Sequence, residues 1–250
     1  MLAAVAVGLA GCQQQVDKKL TEGIGKGLQA YYQRNLVSAE QLLTSAIAVD
    51  PHSPAAAEGY YVRGLVRNDR GEVRLAEMDF FVAMELSKRE DLKTNCQISL
   101  GSIAYNNGDY RHAYEYYLKA SDHLPKMAPN ESVLYRLGVC CQNIGQWEEA
   151  KKHFARVRRD FPYTQAVGWA EKRMKYNFFT VQAGVFSRAE GARRAMAGLQ
   201  NAALPATAIT RRDGDVTHQI IYVGKYNDYA SAAKILERVK KIVPDARIVP

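Results

Sequence analysis

The sequence has no apolar run long enough to cross a bilayer. Its one conspicuous apolar stretch, Met1 to Gly11, is 11 residues long, against the roughly 20 that a spanning helix needs. Cysteine is scarce: Cys12, Cys96, Cys140 and Cys141 are all there are. None has metal-ligand or redox spacing. Neighbouring cysteines on a helix point about 100° apart and do not bridge easily, so the last three read as small core residues. His52, His112, His123, His153 and His218 have no ligand spacing to one another. There is no His-Glu-x-x-His and no nucleophile elbow. Gly23-Ile-Gly25-Lys-Gly27 looks like a phosphate loop, but no strand precedes it. These absences argue against an enzyme, a resident metal and a cofactor, although a carboxylate pair assembled in space stays open.

Basic surplus is missing from the first half. Residues 1–139 carry 15 Lys and Arg against 16 Asp and Glu, residues 140–176 carry 8 against 4, and residues 177–250 carry 11 against 6. The surplus fits either an anionic partner or a solubilising surface.

A period of 37 residues fills the middle of the chain. Gly27, Gly64, Gly101 and Gly138 are followed by Ala39, Ala76, Ala113 and Ala150, then by Leu43, Phe80, Tyr117 and Phe154. Ala46, Ala83, Ala120 and Val157 come next, and Pro51, Lys88, Pro125 and Pro162 close each unit. A fixed period with small and large residues in register signals a solenoid of helix pairs. Small residues belong where paired helices approach, large ones fill the gap to the next pair, and proline stops the second helix. The pattern resembles the tetratricopeptide repeat over residues 20–176, with a period three longer than usual. It departs at Lys88, Arg67 and Cys141. Asp69-Arg-Gly71, Asn107-Gly-Asp109 and Ile144-Gly-Gln146 read as turns within pairs. Thr164 to Tyr176 reads as a capping helix. Tyr31, Tyr32, Tyr60, Tyr61, Tyr105 and Tyr135 fall on or near the first helices of the pairs, where such stacks bind peptides; helix packing is their other role.

After Asn177 the periodicity alternates. Phe178–Phe186, Ala206–Thr210, Gln219–Tyr226 and Ala246–Val249 read as strands. The helix after the first strand opens on a capping box at Ser187 to Glu190, and the second helix is capped by Asn227. Asp213-Gly-Asp215 reads as the hairpin turn. The order is βαββαβ, with both helices on one face of an antiparallel sheet. The first and third strands echo each other: Val181-Gln-Ala-Gly-Val-Phe-Ser against Ile221-Tyr-Val-Gly-Lys-Tyr-Asn. Strict parity turns Val181, Ala183 and Val185 toward the helices. It turns Gln182, Gly184 and Phe186 outward, with Tyr222, Gly224 and Tyr226 from the other copy. Outward glycines leave backbone bare for a ligand, and Gln182 and Tyr222 offer amide and aromatic groups suited to sugars. The competing reading is a solvated Gln182 with both glycines as bulges.

These strands resemble the SPOR domain over residues 177–250, with Lys225 where the family's second copy carries proline. That resemblance implies a non-catalytic module that binds peptidoglycan, especially septal glycan strands stripped of stem peptides, and points to cell division. Carried over onto this chain, it marks Gln182, Gly184, Ser187, Tyr222 and Gly224 as peptidoglycan-binding residues. RNA-recognition domains share the strand order, but His218 to Tyr226 lacks their signature, so nucleic acid is not expected.

Leu9-Ala-Gly-Cys12, directly after the apolar run, resembles a bacterial lipobox. The resemblance implies a signal peptide at 1–11, lipidation of Cys12, a lipidated linker at 12–19 and a membrane tether made of acyl chains. Gln13 after the cysteine implies the outer membrane, facing the periplasm. No Lys or Arg precedes the run, which leaves open a start upstream of Met1. The whole reads as a two-domain α + β envelope adaptor: an all-α tetratricopeptide solenoid, then a SPOR-like sheet domain. Its partners are glycan strands and a protein held by the repeats.

Overall fold

A computed structural model describes residues 2–127 and 129–250, with side chains from residue 14 onward. The expected signal peptide and Cys12 therefore lie outside the residues whose side chains are described. The chain divides into two compact units, Met1–Pro125 and Lys126–Pro250.

The first unit contains three helix pairs: α1 (Leu2–Tyr32) with α2 (Leu36–Ile47), α3 (Ala56–Asp69) with α4 (Val73–Leu86), and α5 (Glu90–Asn106) with α6 (Tyr110–Ser121). Residues 14–19, expected as linker, continue α1, and Leu20 just beyond them is buried. The 37-residue pattern is a packing rule. A Cβ added to Gly27 would lie 2.5 Å from Leu43, one on Gly64 2.6 Å from the Phe80 ring, and one on Gly101 2.8 Å from the Tyr117 ring. The large residue thus lies over the glycine of its own pair and also reaches the next pair: Leu43 shares a core with Val62 and Val66 of α3, and Phe80 with Cys96, Leu100 and Ile103 of α5. Ala39, Ala76 and Ala113 are fully buried. Gly71 and Gly108 turn the chain with φ of +80° and +76°; one period earlier, Arg34 takes φ +61° without being glycine.

Two departures from the repeat pattern have physical accounts. Arg67 donates to Asp79 and to Glu40, both at 2.9 Å, while Arg63 forks onto Asp79 at 2.9 and 2.7 Å. Asp79 is 3% exposed, so its charge depends on both guanidinium groups. Where Lys88 replaces proline, Ser87 is extended and its Oγ accepts from the Arg89 N–H at 3.0 Å, ending α4 by turning the chain.

The second unit begins with a fourth pair, α7 (Glu131–Asn143) and α8 (Trp147–Asp160), which repeats the rule: a Cβ on Gly138 would lie 2.5 Å from Phe154. Helix α9 (Gln165–Arg173) covers it with Ala166 and Ala170. Buried Gln142 donates to the Arg173 carbonyl at 3.0 Å and accepts from its guanidinium at 3.1 Å. Then come β1 (Phe179–Phe186), α10 (Ala189–Asn201), β2 (Ala206–Asp213), β3 (Val216–Tyr226), α11 (Tyr229–Lys240) and β4 (Arg247–Val249). The sheet is antiparallel, in the order β2-β3-β1-β4. Val181, Ala183, Ile221 and Val223 pack with Ala192, Leu199 and Val239, which places both helices on one face.

Local boundaries differ from those read in the sequence. The β2–β3 hairpin extends to Asp213 and Val216, with Gly214 at φ +60°. Helix α10 is capped by Arg188 without a side-chain bond, so the expected box at Ser187 does not form. Helix α11 is capped by Asp228, which accepts from the Ser231 N–H at 2.8 Å, not by Asn227.

Asn227 instead joins the sheet to the fourth helix pair. The Trp147 indole donates to the Asn227 carbonyl at 2.7 Å, and the Asn227 side chain donates to the Gly145 carbonyl at 3.3 Å. The Trp147 and Phe179 rings meet at a tilt of 58° with centroids 5.0 Å apart, and both pack with Ala232. This shared core puts the fourth helix pair and the sheet in one compact unit, with the change of periodicity near residue 176 inside it.

His153 on α8 is buried, with no hydrogen-bond partner for its Nε2. Burial pushes its pKa below the ordinary 6.5 despite Glu149 nearby.

Three outcomes are expected from this packing. Gly64→Ala drives a methyl into the Phe80 ring and costs about 1–3 kcal/mol, whereas Gly25→Ala, with nothing within 4 Å of its Cβ, gains about 0.5–1 kcal/mol. Urea unfolding of both variants measures the contrast. Trp147→Ala costs the second unit about 3 kcal/mol or more, read as a lower thermal midpoint for residues 126–250 and faster amide exchange in β1 and α11. Since folded His153 resists protonation, its contribution is intact above pH 6.5 and declines as pH falls below that value. His153→Leu flattens this acid loss in urea midpoints taken from neutral pH downward.

Candidate binding face on the open side of the sheet

Two bulges set the open face. Along β1, Gln182 pairs with Tyr222 but Gly184 pairs with Ile221, so Ala183 is an extra residue. Along β3, Val223 and Tyr226 pair with Val181 and Phe179, so the extra residue there lies at Gly224-Lys225. A bulge places two successive residues on the same side and shifts the alternation beyond it. Strict parity therefore fails after each glycine. Phe186 and Tyr226, expected outward, pack into the helix-side core, while Val185, expected inward, is 50% exposed.

The glycines make room for those rings. A Cβ on Gly184 would lie 2.8 Å from Phe186, and one on Gly224 would collide with the Tyr226 hydroxyl. Gly224 has φ +65°, a conformation that favours glycine. Neither glycine offers a bare outward surface in the way parity had implied, although Gly224 backbone does line the groove described below. Ser187 is exposed past the end of β1, in a depression with Arg188, Glu190 and Arg194, outside that groove.

Gln182 and Tyr222, by contrast, are direct cross-strand partners. Thr207 pairs with Tyr222 on the other side, and Arg247 pairs with Gln182. A row of hydroxyl, phenol, amide and guanidinium groups thus crosses all four strands. Beside it runs an apolar row of Ile209, Ile220 and Val185. On the other side, buried Thr180 donates to the Gly224 carbonyl at 2.8 Å, pinning the β3 bulge to β1.

A groove of about 590 Å³ opens on this face. Thr207, Ile209, Tyr222 and Val249 form its floor, and Tyr176, Phe178 and Lys225 stand among its walls. The Lys225 ammonium lies 4.7 Å from the Phe178 ring centroid. Among the described residues no acidic side chain lines the groove. Thr207, Ile209, Phe178 and Arg247 were not singled out from sequence. Strand parity could have found Thr207 and Ile209, because alternate residues of β2 must share the outward face. Among the described residues no group of His, Cys, Asp and Glu is arranged to hold a metal ion.

The C-terminal sequence matches the SPOR domain family model over residues 175–249, and residues 132–162 match the tetratricopeptide repeat model. The chain joins tetratricopeptide repeats to a SPOR domain. The SPOR match starts at Lys175, so it takes in the Tyr176 and Phe178 walls of the groove. No curated protein sequence matches the chain. Among solved structures, a tetratricopeptide repeat protein from Parabacteroides merdae aligns with a TM-score of 0.55 at 16% identity over 63% of this chain. The chain spans only 59% of that protein's length. YrrB, described as a tetratricopeptide repeat protein with an unusual peptide-binding site, gives 0.50 at 20% identity, over 62% of this chain and 78% of its own. Pseudomonas aeruginosa pilF gives 0.51 at 17% identity, over 92% and 95%. These likenesses establish the repeat fold. SPOR domains and tetratricopeptide repeats are typically non-catalytic binding modules.

Proposed function

We propose that this chain is a non-catalytic adaptor of the cell envelope. Its SPOR domain binds peptidoglycan glycan strands, with preference for strands stripped of stem peptides, and its repeats hold a protein partner. The observation that carries the reading is the Thr207–Tyr222–Gln182–Arg247 row beside an apolar-floored groove, within a SPOR domain. Sugars present apolar C–H patches ringed by hydroxyl groups. A phenol ring supplies stacking area, while the amide and guanidinium supply donors and acceptors in fixed positions.

The partner surface is supported by α4 in the first unit, which exposes Leu75, Met78 and Phe81 at three-residue spacing. Apolar side chains gathered on one helix face are a common protein-binding feature. The peptide-binding site named for YrrB gives the same kind of partner a precedent on this fold. A lipid on Cys12 would tether the adaptor to the outer membrane, so that tether and glycan together pin membrane to wall or mark the division site.

The test is a pull-down of the full chain with purified wall sacculi, with and without stem peptides. Stripped sacculi retain more protein. Tyr222→Ala weakens retention about tenfold, as loss of a stacking anchor does, and Gln182→Ala about fivefold. Ser187→Ala, outside the groove, leaves it unchanged. Absence of binding to either sacculus sinks the glycan reading. Full binding by both the Tyr222 and Gln182 variants moves the site off this face.

A further inference from the structure

We propose that Lys175 and Lys225 form a cationic rim that receives a free carboxylate of the bound glycan, so that the groove reads whether a stem peptide has been removed. The inference rests on the glycan reading above and adds a chemical reason for the preference. In a peptidoglycan strand the lactyl carboxyl of the muramic sugar is tied up in the amide that carries the stem peptide. Hydrolysis of that amide releases the peptide's amine and leaves a carboxylate on the sugar. Stripping therefore turns the lactyl group itself from a neutral amide into a carboxylate, and carries away the peptide with its bulk and its own charges.

The groove is built to notice that change. Lys175 and Lys225 both line it, both are exposed, and neither has a carboxylate within ion-pair distance among the described residues. No Asp or Glu side chain lies beside them in the lining, which also includes Pro250, the last residue of the sequence. Lys225 does not hang freely over the groove, since its ammonium rests on the Phe178 ring; a cation held on a ring face keeps its charge and loses part of its freedom. The β3 bulge puts it there. Gly224 at φ +65° sends Tyr226 into the core and leaves Lys225 on the outer side. At the equivalent place in the duplicated strand, one residue after Gly184, stands Val185. Both copies carry a bulge, but only the second has its glycine at positive φ and a charge after it, which sets the cation at one end of the face. Arg247, in the row with Gln182 and also exposed, extends the positive field along the strand. Ammonium groups are compact point charges, suited to a carboxylate met at varying angles along a flexible strand.

The experiment uses the full chain and soluble stripped glycan strands in two forms: carboxylates free, or converted to neutral methylamides. The wild-type protein is expected to bind the free form about fivefold more tightly, in the range of partly exposed ion pairs, with the difference shrinking at high salt. Lys175→Gln combined with Lys225→Gln binds both forms alike, at the level of the methylamide strand, with an unchanged thermal midpoint. Lys225→Arg keeps the preference. Equal binding of the two forms by the wild type overturns the inference and leaves glycan binding standing, as does a preference that survives in the double variant. Failure to bind either form overturns the glycan reading, and this inference with it.

Discussion

One extra residue in each of two strands decides what the sheet can present. A β-strand that alternates without interruption sends every second side chain outward. Here the alternation breaks at Ala183-Gly184 and again at Gly224-Lys225, and beyond each break the aromatic goes inward. Phe186 and Tyr226 join the core, Lys225 goes to the groove, and Gln182 and Tyr222, which precede the breaks, keep their outward places. The binding face is what remains once the bulges have removed two rings from it. Thr180, clamped by its bond to the Gly224 carbonyl, is a small residue on which that geometry rests.

Much of the fold was legible because it depends on periodic sterics. A glycine every 37 residues, with a bulky residue sixteen further on, can be read without coordinates, since a ring laid on a helix tolerates no Cβ beneath it. The βαββαβ order was legible from hydrophobic alternation and turn residues. The faces were only half legible. Parity holds until something inserts a residue, and the local sequence that makes a bulge, a glycine followed two residues later by an aromatic, also fits a regular strand. Parity places Gln182 and Tyr222 on the outward face because they stand before the breaks. For Gly184 and Ser187, which stand at or after one, parity no longer tells the face.

Other gaps have a different origin. Arg67 looked like a defect in the repeat, but its partners Asp79 and Glu40 lie on other helices, and pairing across helices leaves no trace in local spacing. The helix caps missed by one residue for a similar reason. Asn227 and Asp228 are both good capping residues, and the choice fell to Asp228 because Asn227 is held by Trp147 and Gly145.

That hold has a consequence for how portable the SPOR domain is. Cut at the change of periodicity near residue 176, the chain yields two fragments that each expose half of one core. The helical piece would bare the Trp147 indole. The sheet piece would bare Phe179 and Ala232, which are otherwise buried. The last repeat is therefore less a neighbour of the SPOR domain than part of its foundation, and a swap of either module between proteins must carry the matching surface with it.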